Sequence, residues 1–444
     1  MKDVVIIGLG ETGLSCVDYF QANQVSVTII DSRENPPCLA EVKKKYPMLS
    51  VVTGGFPEEI LKAAKLVVIS PGVPKNQPDL LKAISVDAEI IGDIELFARQ
   101  AKAPIIAITG SNGKSTVTTL VGEMAKNVLN KVGIGGNLGV PALSLLPLEP
   151  DLYVLELSSF QLETTYSLRS TVATVLNVSR DHLDRYDSFK DYQAAKLRIY
   201  EDCEQIVFNR HDPILPERSS KKSQARLISF GLDEPKSGHF GLIYDKEWFL
   251  AKGRDRLIPV KRLKIVGKHN VANALAALAL GEGVGLPLEK MLTTLENFTG
   301  LLHRCEWVCE KKGVRWINDS KGTNVGATVA ALEGLGNDVN KWILIAGGIG
   351  KNADFSPLVP LVKQYCRALV LMGTASDELF QLFHDILPCF QVKDMEEAVM
   401  KAFVLSEPGD GVLLSPACSS LDMFCNFEER GAQFKECVQR LPEK

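Results

Sequence analysis

The 444-residue sequence lacks the long apolar runs and the charge excess that mark several classes of protein. No apolar stretch approaches the roughly 18–20 residues that a membrane-spanning helix needs, so we expect no membrane insertion. The formal net charge is −4, from 50 lysines and arginines against 54 aspartates and glutamates. Because these charges form no long run of one sign, the sequence argues against a nucleic-acid-binding protein that works through bulk charge.

Redox and export signals are also missing. The ten cysteines include no Cys-x-x-Cys pair, and residues 1–8 contain neither the apolar core nor the cleavage site of a signal peptide. We therefore expect reduced thiols that mostly fill the core, and a cytoplasmic protein. With 45% apolar and 23% charged residues the chain can bury ordinary cores, and its length suggests about three domains.

Apolar β-branched runs alternate with helical patterns along nearly the whole chain, which is typical of parallel sheets with crossover helices. A second unit begins near Asp93 and a third near Gly300. Residues 211–265 are richer in charges and turns, and we predict that they form a small antiparallel appendage to the central sheet. The main predicted strands are Val4–Ile7, Val25–Ile30, Leu66–Ser70, Glu89–Ile91, Pro104–Ile108, Leu152–Leu157, Val172–Asn177, Gln205–Phe208, Val314–Asn318, Trp342–Ala346, Ala368–Met372 and Gly411–Leu414.

A glycine-rich turn, Gly8-Leu9-Gly10-Glu11-Thr12-Gly13, follows the first predicted strand and begins a helix, and Asp31 ends the next strand. This arrangement matches the dinucleotide fingerprint, in which glycines let the backbone approach a pyrophosphate and an acid contacts a ribose. Taken alone, it favours a nicotinamide or flavin enzyme. Two other interpretations remain open: a tight turn without a ligand, and a turn that holds the diphosphate of another nucleotide. Ser70-Pro71-Gly72, at the end of a later strand, could complete the same cleft.

A second glycine-rich turn, Thr109-Gly110-Ser111-Asn112-Gly113-Lys114-Ser115-Thr116, also lies between a predicted strand and a helix. Its Gly-Lys-Ser supplies what nucleoside triphosphate chemistry requires: backbone N–H groups for phosphates, a lysine for the β and γ oxygens, and a hydroxyl for Mg²⁺. Ile108 stands where the usual phosphate loop has its first glycine, so this motif is a shortened variant. The variant favours a nucleotide-dependent enzyme other than a GTPase or an ordinary kinase.

Carboxylates and a histidine follow two of the predicted strands. Glu156 stands at the end of one strand, and Asp181-His182 follows another. Because parallel strands end at the same edge of a sheet, we expect these side chains beside the second glycine-rich turn, where they would serve a Mg²⁺-dependent phosphate site. Lys196, in contrast, lies in an amphipathic helical pattern that by itself predicts a solvent-exposed lysine.

Seven short segments, spread along the chain, match the motifs of one enzyme family. They are Thr109–Thr116, Gly135–Asn137, Glu156–Leu162, Asp181–Tyr186, Gly267–Asn270, His303-Arg304 and Asn318–Asn324. Together they resemble the Mur ligases of peptidoglycan synthesis, which are ATP-dependent ligases that form amide bonds to amino acids. Three further segments are similar to the D-glutamate-adding branch of that family: Gly8–Gly13, Gly92–Phe97 and Leu414–Phe424. The resemblance runs from about residue 4 to about residue 440.

This resemblance implies an α/β protein of three domains. Residues 1–93 would form a Rossmann-like domain that binds a UDP-sugar. Residues 94–299 would form a P-loop ATPase-like central domain with a mainly parallel sheet and a small antiparallel appendage. Residues 300–444 would form a Rossmann-like domain that binds the incoming amino acid. The diphosphate at the first turn would then be that of UDP rather than that of NAD.

The resemblance also implies the site residues. The catalytic residues would be Lys114, His182 and Lys196. ATP would contact Gly110, Ser111, Asn112, Gly113, Lys114, Ser115, Thr116, Asn270, Asn273, Arg304 and Asp319. The UDP-sugar would contact Gly10, Glu11, Thr12, Asp31, Ser32, Arg33, Ser70, Gly72, Asn137, Ser158 and His182. D-Glutamate would contact Lys321, Thr323, Lys351, Ser420, Leu421 and Phe427. Two Mg²⁺ ions would be held by Ser115, Glu156, His182 and Lys196, the last as a carbamate.

The reaction implied is the addition of D-glutamate to UDP-N-acetylmuramoyl-L-alanine by a monomer, with ATP as a substrate. The alanyl carboxylate would attack the γ-phosphorus to give an acyl phosphate and ADP, and the D-glutamate amine would then displace phosphate. Three alternatives remain: a ligase of the same family with another amino-acid specificity, either L-alanine-adding or folate-glutamylating; an NAD-dependent dehydrogenase; and a nucleotide-binding module without catalysis. The dehydrogenase leaves Lys114 and Glu156 unexplained.

Overall fold

The computed structural model describes residues 4–181, 185–212, 225–265, 267–336 and 338–442. Strands in these ranges form three sheets, and each of the three predicted units contributes one of them. Helices alternate with the strands and pack on the sheets, which confirms the predicted α/β class. The unit boundaries near residues 93 and 299 remain predictions. None of the described helices is long and apolar enough to cross a membrane.

The first unit alternates short strands with helices. Its elements are β1 (Val4–Ile7), α1 (Glu11–Ala22), β2 (Val27–Asp31), α2 (Leu39–Lys45), β3 (Ser50–Thr53), α3 (Glu58–Lys62), β4 (Leu66–Ile69), α4 (Pro78–Ala83) and β5 (Glu89–Ile91). Neighbouring strands are parallel, in the order β3-β2-β1-β4-β5. Because β1 lies between β2 and β4, the turns that follow these three strands meet at one edge of the sheet.

The second unit contains the largest sheet. Its elements are α5 (Asp93–Ala98), β6 (Ile105–Thr109), α6 (Lys114–Lys126), β7 (Val132–Gly136), β8 (Leu152–Glu156), α7 (Ser159–Leu162), β9 (Val172–Val175), α8 (Phe189–Leu197), β10 (Gln205–Asn209), β11 (Arg226–Phe230), β12 (Phe240–Asp245), β13 (Glu247–Lys252), β14 (Asp255–Pro259), α9 (Lys268–Gly283) and α10 (Leu288–Asn297). The strand order is β14-β13-β12-β11-β10-β9-β6-β8-β7. The predicted antiparallel appendage is confirmed for β12, β13 and β14, whereas β11 pairs with β10 in parallel and extends the main sheet.

The third unit is a smaller sheet with one antiparallel edge. Its elements are β15 (Glu306–Lys311), β16 (Val314–Asn318), α11 (Val325–Leu335), β17 (Trp342–Gly347), α12 (Val359–Tyr365), β18 (Cys366–Met372), α13 (Ser376–Phe383), β19 (Cys389–Gln391), α14 (Met395–Leu405), β20 (Gly411–Leu414) and α15 (Phe427–Arg440). The strand order is β15-β16-β20-β17-β18-β19, and β15 pairs with β16 in antiparallel orientation.

Strand register brings distant segments of the chain to common edges. In the second unit Ile108 on β6 is paired with Glu156 on β8, and Thr109 is paired with Val175 on β9. In the third unit Asn318 on β16 is paired with Leu414 on β20. All of β6 and β8 is buried, as the apolar runs of both strands predict. The loops after these strands therefore begin from rigid, buried positions at the carboxyl ends of the sheets.

Candidate active site

The second glycine-rich turn forms a phosphate loop between β6 and α6. Gly113 caps α6 with φ +83, a left-handed conformation in which glycine is favoured. A Cβ at Gly113 would also lie 2.5 Å from Asn273 Oδ1, so the loop packs closely against α9. Asn177 fixes the loop from the side, because its Oδ1 accepts from Asn112 N at 2.9 Å and its Nδ2 donates to Asn112 O at 3.0 Å. The loop is thus held in shape by protein contacts alone.

Two lysines meet at this loop. Lys114 Nζ donates to Gly110 O at 2.8 Å and to Ser111 O at 3.0 Å. Lys196 Nζ donates to the same Gly110 oxygen at 2.9 Å. Burial lowers the pKa of Lys114, while Glu156 opposes the shift. Two ammonium groups that share one carbonyl repel each other, and this favours the loss of a proton from one of them.

Lys196 is not the solvent-exposed lysine that its local pattern predicts. Its relative exposure is 2%, and its Nζ lies 4.7 Å from the centre of the Tyr192 ring. Burial, and after it the charge of Lys114, lowers the pKa of Lys196 well below its usual range. The prediction from amphipathicity was wrong because the helix face of α8 that carries Tyr192 and Lys196 packs against the phosphate loop rather than facing water. A buried amine that loses its proton easily is a nucleophile, and can form a carbamate with CO₂.

Glu156 has the environment of a cation ligand. Its Oε1 accepts from Asn137 Nδ2 at 2.8 Å, whereas its buried Oε2 accepts no hydrogen bond from the described residues. An ionised oxygen buried without a donor is costly, and a hard cation such as Mg²⁺ would satisfy it. Ser115, the second residue of α6, is also buried, and its Oγ accepts a hydrogen bond from Arg304 Nη2 at 3.0 Å.

The metal set implied by the resemblance is not a ready-made cluster. Within the described ranges no three histidine, cysteine, aspartate or glutamate side chains converge on one point. The set would instead combine Glu156, the Ser115 hydroxyl and a modified Lys196 with His182. His182 lies outside the described residues, so its role at the metal and at the UDP-sugar stays a prediction.

A cavity of about 390 Å³ lies between the phosphate loop and the third unit. Its lining includes Asn112 and Thr116 from the loop region, Asn270 and Asn273 from α9, and Arg304, Asp319 and Lys321 from the third unit. Of these residues the resemblance implies Asn270, Asn273, Arg304 and Asp319 for the adenine and ribose of ATP, and Lys321 for D-glutamate. The fold brings them together from two units.

Asp319 and Arg304, two of the charged residues that the third unit contributes to this cavity, are held in place by neighbours. Asp319 Oδ2 accepts from Ser415 Oγ at 2.7 Å, and its Oδ1 accepts from Cys305 N at 3.2 Å. Burial raises the pKa of Asp319 to about 6. Burial also lowers the pKa of Arg304, whose guanidinium reaches Ser115 across the boundary.

The first glycine-rich turn is closed by its own neighbours. Asp31 Oδ2 accepts from Leu9 N at 2.7 Å and from Arg33 Nη2 at 2.7 Å. Burial alone would raise the pKa of Asp31, but the bonds from Arg33 and from the two backbone amides outweigh it and lower that pKa. Ser70 Oγ donates to Gly8 O at 2.9 Å, which ties the segment after β4 to the turn after β1. A Cβ at Gly13 would lie 2.0 Å from Gly8 O, so the turn requires glycine there.

Several other predicted UDP-sugar residues lie around this turn. Gly10 caps α1, and a Cβ there would meet open space. Glu11, Ser32 and Gly72 are exposed, and Thr12 is half-buried. These residues lie near one edge of the first sheet, as predicted.

Ser158, another predicted UDP-sugar residue, caps the N-terminus of α7. Its Oγ accepts from Gln161 N at 3.1 Å and caps α7, while Gln161 Oε1 accepts from Ser158 N at 3.1 Å. This reciprocal capping box fixes the turn that follows Glu156 and Leu157. Ser158 therefore lies at the N-terminus of α7, two residues after Glu156.

The predicted D-glutamate residues are contributed by three loops of the third unit and by Phe427, the first residue of α15. Lys321 Nζ lies 3.5 Å from the centre of the Phe427 ring, and burial lowers the pKa of Lys321 to about 8. A second cavity, of about 300 Å³, is lined by Thr323 and Lys351, together with Arg180 and Asp181 of the second unit. Of the remaining predicted residues, Ser420 is buried and Leu421 is 66% exposed.

Sequence reasoning gave no role to three residues that contact the phosphate loop. Tyr192 OH lies 3.0 Å from Ser111 Oγ, and its spacing of four from Lys196 was the available signal. Asn177 ends a predicted strand beside the phosphate loop, where a polar side chain is informative. Asn324 lies within a recognised motif and caps α11, but its contacts cross to another unit and no local pattern reveals them.

Comparison with known proteins identifies the family. Profiles described as "Mur ligase MurD-like, N-terminal domain", "Mur ligase middle domain" and "Mur ligase, glutamate ligase domain" match residues 2–92, 108–281 and 303–418. The chain is 51% identical over 439 residues to the UDP-N-acetylmuramoylalanine–D-glutamate ligase of Pseudomonas aeruginosa, which covers 98% of both chains. It is 50% identical over 442 residues to the ligase of the same name from Hahella chejuensis, which covers 99% of this chain and 98% of that one.

Solved structures of lower identity share the fold. The UDP-N-acetylmuramate–alanine ligase of Thermotoga maritima has a TM-score of 0.62 at 19% identity, covering 98% of this chain and 99% of that one. MurF from Acinetobacter baumannii has a TM-score of 0.63 at 20% identity, covering 98% and 90%. The structural likeness supports the fold, the sequence identity shows the family, and the chain belongs to the Mur ligases.

Proposed function

We propose that this protein adds D-glutamate to UDP-N-acetylmuramoyl-L-alanine in an ATP-dependent step of peptidoglycan synthesis, releasing ADP and phosphate. The observation that carries the proposal is the 51% identity over 98% of both chains to a UDP-N-acetylmuramoylalanine–D-glutamate ligase. We place the reaction in the cytoplasm, where ATP and UDP-linked sugars are available, and assign it to a monomer.

The first chemical step joins two anions. The alanyl carboxylate attacks the γ-phosphorus of ATP, ADP leaves, and an acyl phosphate forms. A carboxylate that approaches a triphosphate is repelled, so the site must concentrate positive charge. Lys114 is positioned for this task, because it is half-buried at the start of α6 and its Nζ donates to the Gly110 and Ser111 oxygens of the phosphate loop.

The residues around the phosphate loop fit Mg²⁺. We assign Ser115 and Glu156 to one ion, and Glu156, His182 and the carbamate form of Lys196 to a second. A carbamate supplies two anionic oxygens on a long stem, which suits a hard cation, whereas an ammonium there would repel it. When bound, Mg²⁺ neutralises charge on the phosphate oxygens.

The second step is attack by the D-glutamate amine on the acyl carbon, after which phosphate leaves. D-Glutamate has two carboxylates, and we assign Lys321 and Lys351 as their counter-ions, with Thr323, Ser420, Leu421 and Phe427 around them. The stack of Lys321 on Phe427 supports this assignment, because it holds the Lys321 charge at a fixed place in the third unit.

The remaining ligands occupy the other two units. We assign the UDP moiety to the first glycine-rich turn, with Gly10, Glu11, Thr12, Asp31, Ser32, Arg33, Ser70 and Gly72. Asn137 and Ser158 then face the sugar and its lactyl–alanyl arm. We assign the adenine and ribose of ATP to Asn270, Asn273, Arg304 and Asp319 in the 390 Å³ cavity.

Phosphate release measured against a panel of amino acids tests this function. The assay contains ATP, Mg²⁺ and UDP-N-acetylmuramoyl-L-alanine, with D-glutamate, L-glutamate, L-alanine or D-alanine. We expect release only with D-glutamate, and none when the UDP-sugar is omitted. Release with another amino acid would indicate a different specificity within the family, and absence of release with all of them would contradict ligase activity.

A further inference from the structure

Asn324 lies where the third unit meets the second. It is the N-cap of α11, and its Oδ1 accepts from Ala327 N at 2.8 Å within its own unit. Its Nδ2 donates across the boundary to Asn112 Oδ1 at 3.3 Å and to Asp181 Oδ2 at 3.0 Å. The side chain is 8% exposed. The buried amide therefore uses its oxygen to cap a helix and its nitrogen to contact another unit.

The two acceptors belong to the machinery around ATP. Asn112 is part of the phosphate loop, and Asp181 is one of the charges that act on both Lys114 and Lys196. An amide hydrogen bond to a carboxylate is assisted by charge, and the positive N-terminal end of α11 favours an anion at the same place. The contact between Asn324 and Asp181 is thus favourable for two physical reasons.

The first turn of α11 also approaches the second unit closely. A Cβ at Gly326 would lie 2.8 Å from Ser179 Oγ and 3.3 Å from Asn112 Nδ2. A side chain at this position would have to displace the Ser179 hydroxyl. The first turn of α11 is therefore closely packed against the second unit next to the Asn324 amide.

Asn324 ends the segment that carries two of the proposed D-glutamate ligands. Lys321 and Thr323 lie between β16 and α11, and the start of this segment is held at Asp319 by Ser415 Oγ at 2.7 Å. Asn324 holds the other end against the phosphate loop. The distance between the amino-acid site and the phosphate loop is set by these two attachments.

We propose that Asn324 is a positioning residue that holds the amino-acid-binding segment of the third unit against the phosphate loop and Asp181 of the second unit. This inference rests on the proposed function for the identity of the amino acid, but the contact itself needs only the two units. Asn324 acts through Lys321 and Thr323, and through the cavity that ATP occupies between the units.

The test replaces the hydrogen-bond donor of the Asn324 side chain with an acceptor. Asn324→Asp keeps the size and the helix-capping ability of the side chain, but turns a carboxylate towards Asp181. We expect kcat/KM for D-glutamate to fall by about 100-fold, through a higher KM, and the ATP dissociation constant to rise by about tenfold, because like charges at an interface are strongly unfavourable. The melting temperature should stay within about 2 °C, because the cap is retained.

The double variant Asp181→Asn with Asn324→Asp restores one donor and one acceptor. We expect it to recover at least about tenfold in kcat/KM and most of the ATP affinity relative to Asn324→Asp alone, because the two residues are in direct contact and their substitutions should not be additive. The control is Asp394→Asn, the reverse exchange at the exposed N-cap of α14, where no change in either quantity is expected.

Two results would overturn the inference. One is Asn324→Asp with both quantities within twofold of the wild type. The other is a double variant that recovers neither quantity, which would show that the loss does not come from the contact between Asn324 and Asp181. The proposed function would fail separately, if the wild type showed no D-glutamate-dependent phosphate release. In that case the ATP affinities of the wild type, Asn324→Asp, the double variant and Asp394→Asn, measured by calorimetry, still decide the role of the contact.

Discussion

The glycine-rich turns of the first and second units have similar sequences and different surroundings. Both follow a buried parallel strand and begin a helix. At the first turn the buried carboxylate of Asp31 is already paired with Arg33 and bonded to Leu9 N. At the second turn Lys114 and Lys196 share one carbonyl, and Glu156 keeps an oxygen that accepts no hydrogen bond from the described residues.

This difference separates binding from chemistry. A strand, a glycine turn and a helix N-terminus together supply N–H groups for a phosphate, whatever happens to that phosphate afterwards. Transfer of a phosphoryl group requires in addition a concentration of charge that can follow the charge developing in the reaction. At the first turn the carboxylate of Asp31 is paired with Arg33, whereas at the second turn two lysines share one carbonyl and Glu156 Oε2 accepts no hydrogen bond from the described residues. We therefore assign binding to the first turn and phosphoryl transfer to the second.

The largest effect is expected at the second turn, for Lys114→Ala. Loss of this charge should lower phosphate release by about 1,000-fold, because no other side chain of the loop places a cation at the β and γ oxygens. Steady-state phosphate release measures this directly. Activity of this variant above a few per cent of the wild type would contradict the assignment of phosphoryl transfer to the second turn.

A somewhat smaller effect is expected for Lys196→Ala. If Lys196 acts as a carbamate, turnover should fall by about 100-fold with an unchanged melting temperature, since the substitution removes an anionic metal ligand from the site. Formate or acetate should restore part of the activity by entering the space left by the side chain. Full activity of the alanine variant, or a folded variant that no small carboxylate helps, would refute the carbamate.

The first turn should respond in a different quantity. Asp31→Ala removes the acceptor of Leu9 N and the partner of Arg33, and we expect the KM for the UDP-sugar to rise by about tenfold, since hydrogen bonds to charged groups are worth about 1.5–3 kcal/mol. Turnover at saturating UDP-sugar should stay within about twofold. A fall in turnover as large as that of Lys114→Ala would remove the division between the turns.

The smallest effect is a pH dependence outside both turns. Burial lowers the pKa of Lys321 to about 8, so this side chain loses its charge as the pH rises through 8. The KM for D-glutamate should therefore rise several-fold between pH 7.5 and 9.5, while the KM for the UDP-sugar stays flat because the pKa of Asp31 is lowered. In Lys321→Arg the D-glutamate curve should flatten, since arginine keeps its charge. Parallel curves for the two substrates would count against this assignment.

Sequence reasoning found the elements whose signal lies in the core. The strands with continuous apolar runs, such as β1 and β6, were predicted within a residue of their observed bounds. The strands β3, β7, β15 and β19 were missed, because each is an edge strand that is only partly buried and carries no continuous apolar run. The interior strand β11 was also missed, within the segment that was predicted as the antiparallel appendage. Edge strands are defined by their pairing, which a local pattern does not contain.

In the candidate site, the sequence revealed residue types more readily than their environment. Lys114 and Glu156 were found from motif and strand-end position, and the fold places both at the phosphate loop. Lys196 was assigned to the site only by the family resemblance, because its burial depends on the packing of α8 against a loop 86 residues earlier in the chain. Asn324 shows the same limit, since its partners lie in another unit.

The central claim is that the first turn binds and the second performs the chemistry. Calorimetric titration of UDP-N-acetylmuramoyl-L-alanine into the Lys114→Ala variant, alongside its phosphate release, tests this most directly. We predict a dissociation constant within twofold of the wild type and almost no ATP-dependent phosphate release. Loss of UDP-sugar binding in this variant, or retention of phosphate release, would contradict the claim.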